Sequence, residues 1–154
     1  MEINDLISSD VVVANLKATS KKQVLQDLSR RASGSTGLHE RAIFDVLMER
    51  ERLGTTGVGN GIAIPHGKLP DLNRLHGYFA RLEQPVDFQS IDERPVDLIF
   101  LLLAPESAGA DHLKALAKVS RVLRDDNICE KLRGTDTSDA LYAILTGSIE
   151  HQAA

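Results

Sequence analysis

His66 is the residue of this 154-residue chain whose type and setting most invite chemistry. It stands in Ile62-Ala63-Ile64-Pro65-His66-Gly67, where a β-prone run meets a proline and a glycine. Pro65 fixes the approach to the ring and Gly67 leaves space around it. With an ordinary pKa of about 6.5, an imidazole is largely neutral at pH 7 and can attack phosphorus or carbon, or ligate a metal. A histidine in a turn is more often simply exposed, and position alone does not decide between these readings. His112 follows Asp111 at the start of an amphipathic stretch. There the free N–H groups and positive dipole end of a helix would favour an anion. Its other reading is a first-turn residue on an exposed helix. His76 alternates with Tyr78 on a strand, His39 leads into a helix and His151 lies in the C-terminal tail. None of these three is assigned a role.

The remaining candidates fail on context. Gly57, Gly59 and Gly61 suggest a phosphate loop, but they run into a β-prone segment rather than opening a helix, and no G-K-[ST] follows. Turns and close backbone approach explain them better. Cys129 sits in Asn127-Ile128-Cys129-Glu130 inside an expected helix, and acidic neighbours raise a thiol pKa. It reads as a small buried hydrophobe. A metal site needs at least three ligands. The chain has no H-x-x-x-H, C-x-x-C or H-E-x-x-H pattern, so neither a metal nor another cofactor is expected.

Periodicity supplies the elements that position these residues. A capping pattern, Ser20 to Gln23, opens a helix over about 20–32, with Val24, Leu25, Leu28 and Ala32 on one face; the run 33–37 (SGSTG) should break it. A second helix spans about 40–52, with Ile43, Val46 and Leu47 inward and Gly54 as its stop. Its last turn, Glu49-Arg50-Glu51-Arg52, taken alone reads as a solvated charge run. Strands are expected over 62–64, ended by Pro65, over 75–82 and over 96–104, the last apolar enough to be buried on both faces. A strong amphipathic helix covers 110–124, with Leu113, Leu116, Ala117, Ser120 and Leu123 in register. Short helices at 127–132 and 138–145 follow. Central strands with helices at both ends imply one α/β domain, a sheet covered by helices.

Composition narrows the function classes. Hydrophobic residues make up 42% and charged residues 26%, the balance of a globular domain. Net charge is −4, aromatics are 4% and tryptophan is absent, which argues against a nucleic-acid grip or a stacking platform. The acidic N-terminus lacks a signal-peptide pattern, and the run 98–105 is too short to span a bilayer. One cysteine permits no intramolecular disulfide, which fits a reducing, cytoplasmic setting.

Residues 61–68, GIAIPHGK, with RERLGTTG (50–57), PVDLIFLLLAP (95–105) and DHLKALAKVSRVLRD (111–125), give the chain a family likeness. It resembles the enzyme IIA domain of the bacterial phosphoenolpyruvate-dependent phosphotransferase system, fructose/mannitol type, and most of all the nitrogen-regulatory branch. The likeness runs from about Leu6 to Gly147, which sets an expected domain of 6–147 and a flexible tail of 148–154. The resemblance implies that His66 accepts a phosphoryl group through Nε2, that His112 lies near it, and that Arg50 belongs to the phosphate environment. It also implies a single α/β domain with a central mixed β-sheet flanked by helices, and a small histidine phosphocarrier protein as donor. Regulated targets such as transporters or sensor kinases would be the readers of the phosphorylation state. On this reading the chain is a phosphoryl-transfer intermediate of the transferase class acting mainly as a regulator. The alternative is a metabolic subunit relaying phosphate to a IIB domain of a sugar permease. Some sugar-specific relatives carry an acidic residue six positions before the active histidine; Asn60 stands there in this chain, which favours the regulatory branch.

Overall fold

β6 (Val96–Pro105) organises the molecule because its side chains alternate between two cores. In this computed structural model, which describes residues 1–147, Ile99, Leu101 and Leu103 face one layer while Leu98, Phe100 and Leu102 face the other. The first layer contains α1 (Lys21–Thr36) and α2 (Glu40–Leu53); the second contains α3 (Ala110–Leu123), α4 (Asp126–Arg133) and α5 (Ser138–Thr146). That two-sided burial explains the unbroken apolar run of the sequence. Each such side chain contributes about 1.5–3 kcal/mol relative to exposure.

The sheet is mixed. Its strand order is β1 (Val12–Leu16), β5 (His76–Val86), β6, β3 (Ile62–Ala63), β2 (Gly57–Gly59), and β4 (His66–Leu69) also pairs with β6. β1 runs parallel to β5, β5 antiparallel to β6, and β3 and β4 parallel to β6. No element is expected before Ser20, so β1 is an addition. Its short valine-rich run is stabilised by pairing at the sheet edge, Val12 opposite Phe79.

Four features depart from expectation. β3 ends at Ala63, short of Pro65 as expected, but the lane beside β6 does not end there, because β4 resumes it. Ile62 pairs with Leu98 and His66 with Leu102, so β3 and β4 follow one register along β6 across the proline. Pro65 has no N–H to donate, yet its carbonyl accepts from Leu102 N at 3.0 Å, and the lane resumes at His66. α1 does not stop at Ala32 but runs to Thr36, because the Ser35 and Thr36 hydroxyls bond back to the Ala32 carbonyl and only Gly37, at φ 78°, turns the chain. α3 is rotated from the expected face: His112, Ala115, Val119 and Leu123 are buried, whereas Leu113 is 70% exposed. β5 extends past the expected 82 because a register shift between Arg81 and Val86 accommodates Pro85. The tail 148–154 lies outside the described residues. Among the described residues, no helix is long and apolar enough to cross a membrane.

Candidate functional site

Helix α2, strand β4 and the start of α3 bring Arg50, His66 and His112 into one cleft of about 660 Å³. Gly67 makes the arrangement possible. A Cβ at Gly67 would overlap Val46 Cγ1, so glycine allows α2 to lie directly against β4. The space Gly67 leaves is therefore taken by the helix rather than kept open around the ring. Val46 and Arg50 are one helical turn apart, and the approach that seats Val46 carries Arg50 to the Nε2 edge of the His66 ring.

Two contacts fix the state of His66. Its Nδ1 lies 2.9 Å from the Ile64 carbonyl oxygen, which can only accept, so Nδ1 carries the proton. Arg50 Nε donates to Nε2 at 3.3 Å, so Nε2 presents its lone pair. Burial holds the pKa below 6.5; the Ile64 carbonyl opposes that shift, Arg50 adds to it and Glu51 opposes it. The result is a neutral imidazole whose nucleophilic nitrogen faces a guanidinium. Arg50 also donates through Nη1 to the Gly54 carbonyl at 2.9 Å, which orients its fork.

His112 is 5% exposed and stands edge-on to His66, with ring centroids 5.7 Å apart at 81°. Its pKa is lowered mainly by burial, with further lowering from His66 and Lys68, and its Nδ1 has no hydrogen-bond partner. Gly109, the N-cap of α3, lines the same cleft at φ 55° and provides no side-chain cap. The first N–H groups of α3 are thus free of side-chain partners beside the two histidines.

Three features of the site go beyond the sequence expectations. Lys68 lines the cleft, and its position two residues after His66 puts it on the same side of β4, a signal of strand periodicity. Leu53, 83% exposed, and Leu113, 70% exposed, form an apolar rim. The charge run ending α2 is only partly solvated: Glu51 is 8% exposed and Arg50 is half-buried on His66. Asn60, in turn, has a local reason for its identity. It occupies the β2–β3 turn at φ 57°, a conformation Asn tolerates, while its carbonyl accepts from Arg133 at 2.7 Å. It does not line the His66 cleft. His39 is the N-cap of α2, His76 is half-buried on β5, and His151 lies outside the described residues. Cys129 is buried, its thiol donating to the Leu123 carbonyl, and burial pushes its pKa up. Among the described residues no cluster of three His, Cys, Asp or Glu side chains is placed to hold a metal.

Residues 5–148 match the family described as phosphoenolpyruvate-dependent sugar phosphotransferase system, EIIA 2. A nitrogen regulatory protein of Bradyrhizobium diazoefficiens is 57% identical over 145 residues, 94% of this chain and 95% of that one. The crystal structure of nitrogen regulatory protein IIA-Ntr from Neisseria meningitidis superposes with a TM-score of 0.89 at 34% identity, covering 94% of this chain and 99% of that one. The Escherichia coli enzyme IIA for mannitol, solved in complex with phosphorylated enzyme IIB, shares the fold at a TM-score of 0.78 and 19% identity, covering 92% of this chain and 97% of that one.

Proposed function

The chain belongs to the EIIA 2 family of the phosphoenolpyruvate-dependent sugar phosphotransferase system, and from that premise we propose that it is a phosphohistidine carrier of the nitrogen-regulatory kind, accepting its phosphoryl group on His66 Nε2. The donor is a small histidine phosphocarrier protein in the cytoplasm, and the readers are target proteins such as transporters or sensor kinases. The observation that carries the proposal is the pair of contacts on His66. Ile64 O holds the proton on Nδ1 and Arg50 faces the free lone pair on Nε2.

The transfer balances without another reactant. The Nε2 lone pair attacks the phosphorus of the donor phosphohistidine, and the donor P–N bond breaks as the new one forms. The bonding pair returns to the donor ring, which leaves as neutral imidazole because its other nitrogen carries a proton. His66 retains its own Nδ1 proton against the Ile64 carbonyl. Such transfer depends mainly on positioning and charge stabilisation. The Arg50 fork then turns from Nε2 to the phosphoryl oxygens, which its planar geometry suits. His112, Lys68 and the free N–H groups of α3 surround the same oxygens.

A phosphoryl group brings about −1.5 to −2 charge at pH 7. Set inside a cleft rimmed by exposed Leu53 and Leu113, that charge changes which protein surface can be desolvated there. Incubation with the phosphorylated carrier, followed by mapping of the acid-labile phosphate and pull-downs in both states, tests the reading. Wild type takes one phosphate on His66 and changes its bound partners, and His66→Ala takes none. Phosphate uptake by His66→Ala sinks the proposal. Onward transfer to a IIB domain with coupled sugar uptake replaces regulation by metabolic relay.

A further inference from the structure

Glu51 is an acidic side chain taken almost completely out of water, 3% exposed, one residue from Arg50. Its carboxylate meets Lys21 Nζ at 2.6 Å and accepts from Thr56 N at 3.2 and 3.3 Å and from the Thr56 hydroxyl. Lys21 is held in turn over the Phe88 ring, 5.2 Å from its centroid, and lies 3.4 Å from the Phe88 carbonyl. A buried carboxylate persists only when its lone pairs are satisfied, and here each oxygen has a partner. A structural ion pair would account for that much.

The backbone beyond Thr56 points further. The Thr56 carbonyl accepts from Ile64 N at 3.0 Å, and the Ile64 carbonyl accepts from His66 Nδ1 at 2.9 Å. The Pro65 carbonyl on the neighbouring peptide turns toward β6, to Leu102 N. Both polar groups of Ile64 therefore lie outside the β6 ladder, and the Thr56 carbonyl holds the N–H of the pair. We infer that Glu51 is a positioning residue for phosphoryl acceptance: through Thr56 and Ile64 its carboxylate keeps the proton of His66 on Nδ1 and the lone pair on Nε2. The inference rests on His66 Nε2 being the acceptor. Glu51 touches neither the ring nor the cleft; its charge is felt at the ring, but its hold on the position of the Nδ1 proton passes through the intervening peptides.

Long-range proton–nitrogen NMR of the imidazole nitrogens reads the tautomer directly, and transfer from the phosphorylated carrier at varied donor concentration separates kcat from KM. The variants are Thr56→Val, Glu51→Gln and the paired Lys21→Met/Glu51→Leu, which leaves no orphan charge in the interior. Wild type shows the Nδ1–H tautomer alone. Thr56→Val and the paired variant stay folded, show a second tautomer and lose about tenfold in kcat with KM within about twofold, the signature of a displaced reacting group. Glu51→Gln keeps an oxygen for Thr56 and retains the wild-type tautomer. If the paired variant does not fold, Thr56→Val, which removes one hydroxyl, decides the matter alone. Folded variants with the wild-type tautomer and kcat overturn the inference and leave Glu51 a structural ion pair. A wild-type chain that takes no phosphate on His66 overturns the functional reading instead, while the tautomer spectra still judge the link from Glu51 to His66.

Discussion

Substituting Gly67 by alanine tests the packing on which the site depends. At a strand position without a positive φ, Gly→Ala ordinarily stabilises by about 0.4–1 kcal/mol through the unfolded chain. Here the sign should reverse. The added Cβ overlaps Val46 Cγ1, while Val46 Cβ and Leu47 Cδ2 stand at 3.7 and 3.8 Å, ordinary contacts. One methyl therefore carries the conflict. Val46 is β-branched in a helix and strongly prefers one χ1, so turning the methyl aside costs about 0.5–1.5 kcal/mol. The alternative is withdrawal of α2, and overpacking of this kind costs about 1–3 kcal/mol. Withdrawal also moves Arg50, whose 3.3 Å bond to His66 Nε2 is already long and breaks with a few tenths of an ångström. Transfer onto His66 should fall by about tenfold. Val46→Ala removes the offending methyl, so in that background Gly67→Ala should become nearly neutral. The cycle should show a coupling of about 1–2 kcal/mol, with transfer largely restored. Urea unfolding and phosphorylation rates of the four proteins measure both. Effects that add within about 0.3 kcal/mol, or a rate unmoved by Gly67→Ala, would refute the argument that this glycine sets the Arg50–His66 geometry.

Arg50→Lys preserves the charge but not the planar fork, and phosphorylation on His66 should slow by about 10- to 100-fold with little change in unfolding midpoint. His66, His76 and His112 all have pKa values held below 6.5, chiefly by burial. The unfolded chain therefore binds more protons as pH falls below about 6.5, and stability is lost from there down through the folded-state values. Urea midpoints at about pH 7.5 and pH 5 should differ, and His76→Gln should shrink the difference without altering phosphate uptake. Asn60→Val forces a β-branched residue to φ 57° and should cost about 1–2 kcal/mol, whereas Asn60→Gly should be near neutral by thermal unfolding.

Much of the architecture is legible because single elements obey local rules. Ser20 caps α1 by accepting from Gln23 N, Gly54 follows the end of α2, and the apolar run of β6 is buried on both faces as its composition requires. The errors arise where two local rules compete. Ser33, Ser35 and Thr36 disfavour helix in isolation, yet the Ser35 and Thr36 hydroxyls return to the Ala32 carbonyl and the turn waits for Gly37. In α3 the leucines point to one face and the packed structure chooses another, because the chain leaves β6 through Gly109 at φ 55° with His112 turned inward. Leu113, expected in the core, becomes part of the cleft rim.

The bare residues single out His66 and His112 as candidates and the family resemblance adds Arg50. Their juxtaposition is a tertiary fact, since it requires α2 to rest on Gly67 and α3 to present its first turn across the end of β4. Residue type suffices for the chemistry that His66 has available, a largely neutral imidazole able to act as nucleophile or ligand, because an ordinary pKa is a local property. Which nitrogen carries the proton is set by a carbonyl two residues away and a guanidinium 16 residues away. The burial of Glu51 likewise depends on Lys21 from another helix. No local rule distinguishes Glu51 from the solvated Glu49 beside it, because desolvation is defined only once the layers have packed.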